Sequence, residues 1–235
     1  MSSNEDILRA RSFYYEFLAA PFFFSEDDKR FKIWRTQLAE LAENPLNEAV
    51  ARAFSELDVF DFATFAREQN NVLFDYSYAN VPLTASFYEE GRDEGVARVR
   101  TIEILKKSPY RRDADACKNS EDYVGFIFYL MATFLRDEIK SGATNEDAPL
   151  SEQLFVSVIN GFIDEFCQML KEHEKSQFFR SLAVVLENFV ALERSVLAVQ
   201  APHRDPNKRS AAQISMEKKP YKTKMTLPKS AFEEF

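Results

Sequence analysis

Five glycines in 235 residues leave this chain few places for a tight turn or a close backbone approach, and that shortage constrains its fold more than any other feature. Sheets joined by short hairpins and phosphate-cradling loops both consume glycine, and this chain has little to spend on either. Abundant Ala, Leu, Glu and Lys favour helices instead, and the sequence predicts an all-α fold of about 8–10 helices. Apolar residues make up 46% of the chain, enough for a sizeable core, and phenylalanine alone occurs 23 times.

Apolar positions follow helical spacing along most of the chain. Ile7, Leu8, Phe13, Tyr14, Phe17 and Leu18 define a first helix that Pro21 ends, and a capping box at Ser25–Asp28 opens a second through Phe31, Trp34, Leu38 and Leu41. A third follows Pro45, a fourth runs over about 58–78, and another covers about 93–107. The polar, aperiodic stretch 108–120 reads as a loop or hinge. The helix over about 121–140 is apolar on nearly every side, as a central buried helix must be. Two amphipathic helices follow, one through Leu154–Met169 and one in which Phe178, Leu182, Val185, Phe189, Leu192 and Val196 make a packing seam. Residues 1–200 form the expected helical domain, with its hinge at about 108–121, and residues 201–235 a mobile basic tail.

Charge and chemistry narrow the function. Residues 1–200 hold 22 basic against 34 acidic side chains, a net of −12, while residues 201–235 carry +4. An acidic body repels nucleic acid and anionic lipid and favours cationic partners. The two histidines, His173 and His203, give almost no material for acid–base or metal chemistry, and no HExxH, GxGxxG, P-loop, GxSxG or EF-hand pattern occurs. No catalytic residue, metal site or cofactor is therefore expected. Cys117 and Cys167 are far apart and outside any CxxC pattern, which suits a reducing cytoplasm. No export signal opens the chain, and the apolar stretch Phe13–Phe24 is too short to span a bilayer.

The aromatic residues cluster with breakers at 72–90, where Phe74, Tyr76, Tyr78, Phe87 and Tyr88 surround Pro82. Each single ring can be core. Together, tyrosines with an apolar face and a polar rim also suit a peptide groove.

Four blocks in order resemble the TorD/DmsD/NarJ family of redox-enzyme maturation chaperones. Phe13-Tyr-Tyr-Glu-Phe-Leu-Ala-Ala-Pro-Phe22 is similar to the family's opening helix, and Leu73-Phe74, Pro82 and Ser86-Phe-Tyr-Glu89 to its next segment. The diagnostic block, E-P-x-D-H-[IL]-G with a Met nine residues after the Asp, is matched at Asp122, Gly125 and Met131. Asn119-Ser120 stands where the family has Glu-Pro, and Tyr123 where it has His, so titration near neutral pH is lost there. Gln177-Phe-Phe-Arg-Ser-Leu-Ala183 is similar to the closing helix.

The resemblance implies a non-enzymatic cytoplasmic chaperone for a molybdenum oxidoreductase precursor, with a hinge motif at Asn119, Ser120, Glu121, Asp122, Tyr123 and Gly125. Its client would be a twin-arginine leader, the apoenzyme, or both, and export would wait on cofactor insertion. Phe74, Tyr76, Pro82, Phe87, Tyr88 and Tyr123 would wall the groove, and Glu89 with Asp122 would meet the arginines. Ser120-Glu-Asp122 also reads as a plain helix N-terminus, Ser120 capping and the acids meeting the dipole. Other expectations are no nucleic acid, no stable membrane insertion, and a monomer or a domain-swapped dimer. A helical adaptor with a different protein partner is the alternative.

Overall fold

The computed structural model describes residues 3–75, 80–115, 117–141, 148–205 and 207–217. Among them the fold is all-α, and one antiparallel bridge, Thr84 with Tyr123, is the single piece of β pairing. The helices are α1 (Ser3–Ala19), α2 (Lys29–Glu43), α3 (Glu48–Asp58), α4 (Phe62–Gln69), α5 (Ala85–Glu90) and α6 (Val96–Lys106). After them come α7 (Val124–Ser141), α8 (Leu150–Leu154), α9 (Asn160–Glu172), α10 (Phe178–Val196) and α11 (Ala211–Glu217). A π turn, Phe155–Ile159, joins α8 to α9, and a second, Asn70–Phe74, closes α4.

α7 is the central helix its composition demands, buried from Val124 to Leu135 on several faces and packed along the length of α1. α10 lies against α3 and α9, as its seam of apolar residues requires. Most of the phenylalanine is core. Phe22 sits within 6.1 Å of the rings of Phe128, Phe166 and Phe179, and Trp34 stacks on Phe17 at 5.1 Å and on Phe31 at 5.5 Å. Phe65 and Phe178, 4.8 Å apart, close the far end. Offset and edge-on rings of this kind each add about 0.5–1.5 kcal/mol beyond the area they bury.

Several boundaries differ from the sequence reading, and tertiary contacts decide each one. The fourth helix does not run unbroken from 58: α3 ends at Asp58, and a capping box between Asp61 and Thr64 starts α4. Ser25 does not cap α2; its amide donates to the Gln69 carboxamide at 3.1 Å, and α2 starts at Lys29 without a side-chain cap. α7 starts at Val124, so Ser120, Glu121 and Asp122 precede it and do not form its first turn.

Beyond residue 200, where the sequence reading places a mobile basic tail, the described residues up to 217 lie against the body. Ala198 takes a left-handed φ of 53° at the end of α10 and turns the chain back. The Asn160 amide then holds the Gln200 carbonyl at 2.9 Å, and α11 packs on α5. The rest of the expected tail, 218–235, lies outside the described residues. Cys117 and Cys167 are both free.

Candidate functional site

Asp122 is fully buried, and its carboxylate is fully used. Oδ2 accepts the Ser86 amide at 3.0 Å and Oδ1 the Ser120 hydroxyl at 2.6 Å. The bridge beside it is made by the Ala85 amide on the Asp122 carbonyl and the Val124 amide on the Leu83 carbonyl, both 2.9 Å. Thr84, at the N-cap of α5, supplies no side-chain cap of its own. Asp122 therefore caps α5 from a distant part of the chain and fixes that helix against the start of α7. This corrects the expectation of an accessible anion at Asp122 and of a local cap at Ser120. The residue positions α5.

Its neighbour Glu121 has a different task. Burial raises its pKa, but hydrogen bonds from Arg112 at 2.8 Å and Arg98 at 2.7 Å outweigh that and bring it down to about 2. Arg112 also donates to the Cys117 carbonyl at 2.7 Å, and Arg111 to the Leu105 and Ser108 carbonyls, so the expected hinge loop is tied at several points. A carboxylate whose folded pKa lies below its unfolded value stabilises the fold above the unfolded pKa, near 4.5, and loses that contribution as pH falls toward 2. Acid titration of the melting temperature should show this loss between about pH 5 and pH 2, and Glu121→Gln should flatten it. An unchanged acid limb in that variant would remove Glu121 as its source.

Around this block the rings divide into two groups. In the first, Tyr123 is buried, its hydroxyl donating to the Phe22 carbonyl, and burial pushes its pKa above the usual tyrosine value. Its ring lies 5.5 Å from Phe23, which lies 5.5 Å from Tyr129. Phe24 meets Phe74 edge-on at 5.4 Å. Phe24 is 53% exposed and Tyr129 38%, so this is a ring face open to solvent. Gly125 makes it possible, because a Cβ there would stand 2.5 Å from Cε2 of Phe23. The sequence reading missed Phe23 and Phe24. The available signal was the run Phe22–Phe24 after a helix-ending Pro21, since three consecutive rings cannot share one buried face. Tyr76 and Tyr78 lie outside the described residues.

The second group lines the seam between α5 and α9. Tyr88 is buried 5.6 Å from Phe162 and 6.0 Å from Phe166, with its hydroxyl on the Pro82 carbonyl at 2.8 Å. Burial and then the nearby Glu165 push its pKa well up. Tyr88 and Tyr123 are thus supports, correcting their assignment as exposed walls. Pro82 is half-buried and contributes its carbonyl, and half-buried Phe87 lies beside Tyr88. Asn119 is half-buried and stays in the loop. Glu89 binds Arg100 at 2.8 Å and faces Gly161, where a Cβ would lie 3.5 Å from its oxygen. Arg100 also reaches the Ser157 carbonyl in the π turn at 3.1 Å.

The main carboxylate of the seam escaped the sequence reading. The Glu165 side chain is only 5% exposed, and it holds Arg204 at 2.5 Å and the Ser210 hydroxyl. Arg204 also donates to the Gly161 carbonyl at 2.8 Å. The signal lay in its register, an acid beside Phe162 and Phe166 on the buried side of α9. The seam therefore receives a guanidinium, from this chain's own C-terminal segment.

Among the described residues no group of three or more His, Cys, Asp or Glu side chains could hold a metal, and no helix is long and apolar enough to cross a membrane. A family model described as nitrate reductase delta subunit matches residues 35–168, more than half of the chain, including both ring groups' mid-chain segments and the Asp122 block. No curated protein matches the chain by sequence.

Proposed function

Because the chain belongs to the nitrate reductase delta subunit family of non-catalytic molybdoenzyme maturation chaperones, we propose that it binds the precursor of a molybdenum oxidoreductase in the cytoplasm and delays export until the cofactor is in place. The twin-arginine leader lies on the α5–α9 seam, where Glu89 and Glu165 meet its arginines and Phe87 meets its apolar run. The open ring face of Phe24, Phe74 and Tyr129 receives apolar surface of the apoenzyme. One observation carries this reading: the seam already holds an arginine side chain on a nearly buried carboxylate. Charge-assisted, forked guanidinium contacts give orientation, and apolar burial adds about 25 cal/mol per Å² before ordering costs. The net −12 of residues 1–200 favours such a cationic client. No bond is made or broken.

Capture on the protein in its native host, followed by mass spectrometry, should return an unmatured molybdoenzyme subunit; a partner of another kind would favour a helical adaptor. In vitro, a synthetic peptide of two adjacent arginines and an apolar run should bind less tightly as salt rises. Glu89→Ala should weaken it about fivefold, the effect of roughly 1 kcal/mol. Equal affinity in that variant, by calorimetry, would move the leader away from the seam.

A further inference from the structure

The segment after α10 lies where an arginine-bearing peptide would lie. Arg204 fills the Glu165 carboxylate, and Lys208-Arg209 then leads into a short helix of small and apolar residues, Ala211-Ala212-Gln213-Ile214-Ser215-Met216. That helix is seated on α5: Ala212 is fully buried, and the Ser215 hydroxyl donates to the Gly91 carbonyl at 2.7 Å. Gly91 has φ 69°, and a Cβ there would stand 2.7 Å from the Ala211 carbonyl oxygen, so the fit is close on both sides. The order, cation first and apolar turn second, is that of the client segment proposed above. Resting on that reading, we propose that residues 200–205 and 207–217 are the resident occupant of the α5–α9 seam, and that the client's arginine-bearing segment takes their place by exchange.

The energetics favour exchange over simple release. The segment is weakly held: residues 201–205 and 207–209 are exposed, and α11 has seven residues, too few to persist alone. Local opening of such an element takes little free energy. Glu165 opposes it, because withdrawing Arg204 leaves a nearly buried carboxylate without its counterion. An incoming guanidinium removes that cost, whereas a neutral peptide does not. The seam carboxylate therefore stays covered until a cationic client arrives.

The test uses the full chain and a synthetic peptide of two adjacent arginines followed by an apolar run. Ala212→Glu puts a charge at the buried contact of α11 and leaves the body untouched; Arg204→Ala removes the resident guanidinium. Both should bind the peptide about tenfold more tightly than the unmodified protein, since less of the protein is in the covered state. Saturating the unmodified protein with peptide should also speed amide exchange in Ala211–Glu217. Equal affinity in all three proteins, or binding without faster exchange there, overturns the exchange while leaving the seam reading intact. A peptide bound by none of them overturns both.

Discussion

Glu193→Ala is expected to lower the free energy of unfolding by about 3–5 kcal/mol. Glu193 is fully buried on α10 and joined to α1 through Arg11, whose Nε and Nη2 reach its two oxygens at 2.6 and 3.0 Å, and through the Tyr15 hydroxyl at 2.9 Å. Removing the carboxylate strands a buried guanidinium and a buried hydroxyl together. Tyr15→Phe should cost only about 1 kcal/mol, because the forked pair survives. Replacing both ends, Arg11→Met with Glu193→Leu, should recover most of the loss, since no uncompensated charge remains. Urea unfolding of the four proteins measures this. A double variant as unstable as Glu193→Ala would mean that packing, and not the stranded charge, sets the cost.

Asp122→Ala should cost about 2–4 kcal/mol, combining the lost cap of α5 with an unsatisfied Ser86 amide and Ser120 hydroxyl. Its effect should be concentrated where α5 is held. Amide exchange should rise in Ala85–Glu90 before it rises in α10, and peptide binding at the seam should weaken although Asp122 itself is buried away from it. Asp122→Asn should be milder. One carboxamide oxygen can keep the Ser86 amide while the amide nitrogen donates to the Ser120 hydroxyl. A wild-type melting curve for Asp122→Ala would show that α5 does not depend on this cap. Loss of peptide binding with α5 exchange unchanged would instead make Asp122 a direct client contact.

Much of the architecture was legible in the chain. The all-apolar stretch gave the central α7, the seam of α10 gave its packing role, and scarce glycine gave a helical fold, because propensity and periodicity act over one or two turns. The family blocks were legible too. The site was only half legible. Phe87 and Glu89 are half-buried on α5, whereas Tyr88, Tyr123 and Asp122 lie beneath the surface they were expected to form. A tyrosine on an apolar stripe reads the same whether its hydroxyl meets water or a backbone carbonyl, as it does at Pro82 and Phe22.

By itself, then, the sequence determined the helices, their buried stripes and the acidic character of the body. Only the tertiary structure decided which acids are inside and what they hold. Asp122 caps a helix 36 residues away, Glu68 accepts the Phe179 amide from 111 residues away, and Glu193 meets an arginine 182 residues away. Such partners are chosen by the packing of rings between helices, and once chosen they must be satisfied, because a buried charge left alone costs more than the contact itself contributes.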